Sequence, residues 1–316
     1  MEKISLHKVD APEVINSNFI RRQKRYPENL EDAKKIFGFL FYVYRDFSEF
    51  LQMSVLEKPE LSQQKYWFTY GLSCISEFCR LAHFPNEIKD AQIDESGFFP
   101  IKVESLGELQ AVRKPIQLAR IARDKEKEKI IANLPLDLLN LDRNLTFNHE
   151  YINILTKLEI EHSLTGNFNW DYYESLIDIY NKNQYSIQAK ISVDTNQTLY
   201  YIHPYVIAFK SLVDDNEAEF NQNLIKAIQA HKEVWSQKKA LNRGGTPLCR
   251  ENEGFLSWGC TALAAMAHNK GWKLEVESDY MPSFMIDGSI ISKNYFYFNN
   301  KHLVIEMLLL LNYMTF

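Results

Sequence analysis

The sequence predicts a mostly α-helical protein, a multi-helix array of antiparallel helix pairs with minor β elements near 98–103 and 274–278. Apolar residues recur at helical spacing through most of the 316-residue chain. Helix breakers are scarce, with 11 Gly and 10 Pro, and the two alternating stretches are short. A hydrophobic share of 46% against 24% charged residues allows a substantial core and excludes the disordered and collagen-like classes.

Taken along the chain, the first wide apolar stripe runs from Glu31 to Met53, through Ala33, Phe37, Leu40, Val43, Phe47 and Phe50. Ser62 to Ala82 reads as a second core helix, with Ser62 as its N-cap and His83-Phe84-Pro85 at its end. These two are expected to pair as an antiparallel hairpin. Phe98 to Val103 reads as extended, and Pro100 confines it to an edge or a loop. Pro115 opens a helix through Ile131, whose alternating charges from Arg123 to Lys129 are expected on a solvated face. Further helices follow over Asn148–His162, from Trp170, over Tyr205–Val213, Ala218–Lys239 and Gly254–Lys270. Acids at the start of the Ala218–Lys239 helix suit its dipole. Arg243-Gly244-Gly245-Thr246-Pro247 is the clearest loop. The apolar tail, residues 302–316, is too short to span a bilayer and is expected to dock as a terminal helix or strand. The expected organisation is one unit over 1–316, with a subdivision into helical parts 1–140 and 150–316 left open.

Net charge is −5, which supplies no overall basic field, so neither nucleic acid nor membrane is expected as a partner. The expected location is the cytoplasm. Four cysteines, Cys74, Cys79, Cys249 and Cys260, have neither zinc-site spacing nor disulfide-scaffold density, and read as buried thiols.

Catalytic constellations are thin. Gly254-Phe255-Leu256-Ser257-Trp258-Gly259 puts Phe255, not glycine, two residues before the serine, which a nucleophile elbow does not tolerate. Eight scattered histidines form no close-spaced ligand pair. The run Glu159-Ile160-Glu161-His162 reads as an exposed charged face. His231 and Trp235, one turn apart, are expected to stack, and His268 suits the C-terminal end of its helix. Gly244-Gly245 lacks the lysine of a phosphate loop. Arg21, Arg22, Lys24 and Arg25 read as a solvated arm. No catalytic residue, metal or cofactor is predicted, and a binding protein fits better than an enzyme.

One stretch carries more information. Leu263-Ala264-Ala265-Met266-Ala267-His268 is a small-faced helix end, Lys270-Gly271 its exit, and Leu274-Glu275-Val276-Glu277-Ser278-Asp279-Tyr280-Met281-Pro282 an acidic alternating segment. This order resembles the C-terminal signature of the immunity protein 49 family of bacterial polymorphic toxin systems. The resemblance is carried by Ala264, Ala267, His268, Gly271, Glu275, Val276, Glu277, Ser278, Tyr280 and Pro282, with Met281 where leucine is usual. It implies a mostly helical, non-enzymatic antidote that neutralises a cognate toxin by stoichiometric binding. Against a basic nuclease the matching surface would be acidic. Asp214, Asp215, Glu217, Glu219, Glu251, Glu253, Glu275, Glu277 and Asp279 are the candidates for it. Within the signature, alternation is expected to turn Leu274, Val276 and Ser278 onto the helix and Glu275, Glu277 and Asp279 to solvent. Two other readings stay open: a helical adaptor for a different protein partner, and a hydrolase or metal-dependent enzyme assembled from distant segments around His203, His268 or Glu277.

Overall fold

The computed structural model describes residues 1–10, 12–93, 97–104, 112–139, 147–189, 197–238, 240 and 245–291. The 302–316 tail and residues 243 and 244 of the 243–247 loop lie outside them. The described chain is mostly helical, in the order β1 (Glu2–Ile4), α1 (Pro12–Ala33), α2 (Phe37–Glu57), α3 (Leu61–Leu81), β2 (Ile88–Ala91), β3 (Phe99–Lys102), α4 (Arg113–Ile121) and α5 (Lys125–Ala132). Then come α6 (Phe147–Thr165), α7 (Trp170–Ala189), α8 (Gln197–Val213), α9 (Glu217–Trp235), α10 (Trp258–Asn269), β4 (Val276–Ser278) and α11 (Ser283–Ile286).

The α2–α3 hairpin forms, but the helix expected over Glu31–Met53 is broken: Glu31–Ala33 close α1, Ile36 is extended at the N-cap, and α2 starts only at Phe37. The hairpin turn is tight because Lys58 takes the left-handed conformation (φ 47°) and donates its N–H to the Ser54 carbonyl, and Pro59 then blocks further helix. The N-cap of α3 is Glu60, without a side-chain cap bond, so Ser62 does not cap it as expected. Phe37 stacks on Phe78 at 4.8 Å, while Phe50 and Trp67 meet at 5.2 Å, and all four are essentially inaccessible to water. The basic segment before them is helical and only partly solvated, with Arg21 and Lys24 exposed and Arg22 half-buried. It belongs to α1, which buries Ile15 and Phe19 in this core and pairs Arg22 with Asp46 and Glu49 of α2.

A second core gathers α6 to α10, including Leu155, Leu176, Phe209, Phe220, Leu224 and Leu263. Its α8 begins earlier than the expected Tyr205, because Pro204 sits inside the helix without ending it. At the α8–α9 corner Asp215 has positive φ (59°), and the Asn216 side chain accepts the Glu219 N–H as an N-cap. His231 and Trp235 touch at 6.0 Å, with their rings tilted by 46° instead of stacked.

Between the two cores lie α4 and α5, broken where one helix through Ile131 was expected. Arg123 adopts φ 57° and Asp124 caps α5 by accepting the Lys127 N–H. The charges here are not all solvated. Arg120 and Glu128 are 2% and 1% exposed and meet at 2.9 Å, and Arg123 donates to the Ile286 carbonyl and to Asn269. The expected exposed face of α6 is corrected in the same way: Glu159 is 0% exposed and pairs with Arg113 at 2.8 Å, Gln117 and Tyr205. Burial raises the Glu159 carboxyl, but the Arg113 and Arg120 guanidiniums outweigh it and hold it below the usual carboxylate range. The Glu128 carboxyl is likewise held low against burial by Arg120 and Lys125. His162 is packed edge-on against Phe209, and burial together with Arg120 pulls its pKa down to about 4.

Both expected β elements form. β3 pairs antiparallel with β2, Pro100 opposite Asp90. β4 pairs parallel with β1, in the register Glu2↔Val276, Lys3↔Glu277 and Ile4↔Ser278.

Candidate functional site

The signature stretch folds as a clasp. In α10, Ala262, Ala264, Ala265 and Ala267 are each 0% exposed, and these short side chains let α4, α8 and α9 approach closely. At the head of the helix the approach is closer still: a Cβ added to Gly259 would stand 2.9 Å from the Tyr205 ring. Ser257, buried at the N-cap, donates its backbone N–H to the Tyr280 carbonyl and accepts the Thr261 N–H. At the far end Gly271 takes φ 79°, and the Gly271 and Trp272 N–H groups return to the His268 and Ala267 carbonyls. Chain reversal there delivers residues 273–281 along the body.

The alternation expected in that segment holds. Val276, Ser278 and Tyr280 are buried while Glu275, Glu277 and Asp279 face out. The Ser278 hydroxyl donates to the Ile4 carbonyl, and the Asp279 carboxylate accepts the Leu6 N–H at 2.9 Å. Tyr280 is enclosed by His7: the His7 N–H donates to the tyrosine oxygen, which lies 2.9 Å from His7 Nδ1. His7 Nε2 lies 3.3 Å from the Cys249 carbonyl, so the network assigns the proton to Nε2 and makes Nδ1 an acceptor. Residues 4–7 therefore complete the signature from the opposite end of the chain.

The nine candidate acids separate into two groups. Asp214, Asp215, Glu217 and Glu219 at the α8–α9 corner adjoin Glu275, Glu277 and Asp279, because Lys270 and Lys273 join the segments. Lys270 reaches Asp215 at 2.7 Å and the Leu212 carbonyl, and Glu217 accepts the Lys273 N–H. Asn221 clamps the junction by donating to the Lys273 carbonyl and accepting the Glu275 N–H. Glu251 and Glu253 stand elsewhere, beside Glu49 of α2 and Lys114 of α4. Burial, with Glu253 and Glu49 nearby, raises the Glu251 carboxyl.

Several of these acids have structural duties. Asp214 pairs with Lys210, Asp215 with Lys270, Glu219 with Asn216, and Glu217 and Asp279 hold backbone N–H groups. Glu275 and Glu277 carry the least: the Glu277 carboxylate is 58% exposed and 3.8 Å from Lys3. Of the residues considered for an assembled enzyme site, His268 and Glu277 line one surface groove. His203 lies away from it, bonded to Tyr151 and stacked on Tyr180, with burial pulling its pKa down to about 4. All four cysteines are buried thiols, and burial pushes the Cys260 thiol up to about 12. Among the described residues no helix is long and apolar enough to cross a membrane.

Against known families, the model of immunity protein 49 matches residues 94–285, from the β2–β3 connection through the clasp to α11. The chain belongs to the immunity protein 49 family. No curated protein and no solved structure matches it. The matched span contains all nine acids, Glu159 and its partners, and β4, while β1 and His7 lie outside it.

Proposed function

We propose that this immunity protein is a stoichiometric antidote, a non-enzymatic protein acting in the cytoplasm of the cell that makes it. It binds a cognate toxin and covers or distorts the toxin's active site. Membership of the immunity protein 49 family is the observation that carries this reading. The acidic face formed by the α8–α9 corner and β4 supports a basic partner such as a nuclease, since opposite potentials speed encounter and exclude wrong partners. We take the chain to act as a single unit, because the clasp is closed by residues from both of its ends.

Co-expression tests the reading. The adjacent open reading frame is induced with and without this gene, and survivors are counted. Protection together with a 1:1 complex on size-exclusion chromatography is the expected result. A neighbour that kills equally in both cases overturns it. Glu275→Lys with Glu277→Lys is the clean charge reversal, because neither side chain holds the corner together. Slower association at low salt, with an unchanged melting temperature, is expected if this face meets the toxin.

A further inference from the structure

The C-terminal end of α2, the N-terminal residues and the clasp enclose a surface groove of about 850 Å³. Leu6, Val55, Leu56, Leu274, Pro282 and Phe284 line it, and each is half-buried, so the described residues leave a strip of apolar side chains partly uncovered. Both cores contribute to the strip: Val55, Leu56 and Phe284 pack on the first, and Leu274 on the second. Contiguous apolar surface of this kind marks a place where something docks. Its polar edge carries Glu277, Asp279 and Asp287, against Lys58 and His268.

The chain itself supplies a matching segment. The described residues end at Ile291, shortly after α11, whose Ser283, Phe284 and Ile286 belong to the groove wall. Beyond them the sequence carries Leu303-Val304-Ile305-Glu306-Met307-Leu308-Leu309-Leu310-Leu311, in which Glu306 alone is polar. Such a run is driven from water and needs apolar surface to cover it. The ten residues from 292 to 301 span up to about 36 Å when extended, so the chain leaves the groove wall with ample length to return to it. Lys301 and His302, immediately before the apolar run, suit the acidic edge; exposed charge pairs add little energy but favour one direction of entry. We propose that residues 302–316 seat in this groove, with the apolar run against Leu6, Val55, Leu56, Leu274 and Phe284. The segment lies beyond the matched span 94–285, so family membership does not imply this contact. The contact is also independent of the antidote reading.

The test uses the full chain with a photo-crosslinking phenylalanine analogue in place of Ser283, an exposed residue of the groove wall. A second preparation carries the analogue in place of Ser289, which is exposed, off the groove wall and nearer to the segment along the chain. After irradiation and digestion, mass spectrometry identifies the crosslinked peptides, and an equal mixture of isotope-labelled and unlabelled chains separates contacts within one molecule from contacts between copies. An unseated segment favours Ser289, because the tether to it is shorter. A seated one is expected to favour Ser283, with at least about fivefold more crosslinks to residues 302–316 of the same molecule. Leu308→Asp, Leu309→Asp and Leu310→Asp together charge the run on whichever face meets the groove, and should abolish that preference. Val55→Asp should do the same from the groove side; should it fail to fold, the segment variant decides alone. The proposal is overturned if Ser289 crosslinks the segment as well as Ser283 does, if the crosslinks join two copies, or if the preference survives the segment variant. It is equally overturned if Ser283 captures the co-expressed product of the adjacent gene in place of residues 302–316.

Discussion

The α1–α3 region and the α6–α10 region solve the same packing problem with different materials. The first uses large rings, Phe19, Phe37, Phe50, Trp67 and Phe78, on helices whose stripes are wide and regular. The second brings backbones together through Gly259 and the α10 alanines, and it encloses charge. Glu159 of α6 receives Arg113 and Gln117 from α4 and Tyr205 from α8, so one carboxylate organises three helices. An aromatic core gains from burial alone and tolerates adjustment. An enclosed charge network holds one arrangement and fails when any member is removed.

The largest expected effect follows from that contrast. Glu159→Ala leaves Arg113 buried without its partner and should cost about 3–5 kcal/mol in urea unfolding. Replacing the pair together, Arg113→Met with Glu159→Leu, should recover most of that loss, because an apolar pair avoids the desolvation penalty. Failure of the double variant to recover would show that the network stabilises the region outright. Next in size is Gly259→Ala, whose added carbon would press on the Tyr205 ring and should cost about 1–3 kcal/mol. Gly38 provides the control in the other region, since a Cβ there meets only the Glu104 carboxylate at 3.9 Å. Gly38→Ala should be neutral or stabilise by at most about 1 kcal/mol.

Acidification should separate the regions more gently. Burial lowers the pKa of His162 and His203 to about 4 and of His231 to about 3, all on α6, α8 and α9. Their folded values lie below the unfolded 6.5, so the native state binds fewer protons. The stability they contribute is complete above pH 6.5 and declines as pH falls towards 4. Hydrogen exchange at pH 4.5 should therefore show α8 and α9 losing protection before α2 and α3. Equal loss in both regions would break the comparison.

The same contrast explains what could be read from the sequence. Helix α2 was legible because its burial is written locally, as apolar residues at helical spacing. The alternation of Val276, Glu277, Ser278, Asp279 and Tyr280 was legible for the same reason, at a spacing of two. Glu159 and Glu128 were not, because a charged residue in a polar run normally faces water, and the arginines that reverse this come from other elements. The break at Arg123 has no local signal, because no glycine marks its positive φ. Of the candidate acids, the exposed face was legible, whereas the lysines and backbone groups that already occupy Asp215, Glu217 and Asp279 were not. β1 is three residues long, and its identity as a strand depends on a partner more than 270 positions away.

That last pairing also sets a timetable. At about 5–20 residues per second, the ribosome needs on the order of a quarter-minute to a minute to travel from Ile4 to Ser278. Until then the first strand has no neighbour, and His7 has no Tyr280 to bond. The clasp cannot close before Ser278 has been made, so a nascent chain cannot present the finished acidic face until nearly the whole described chain exists.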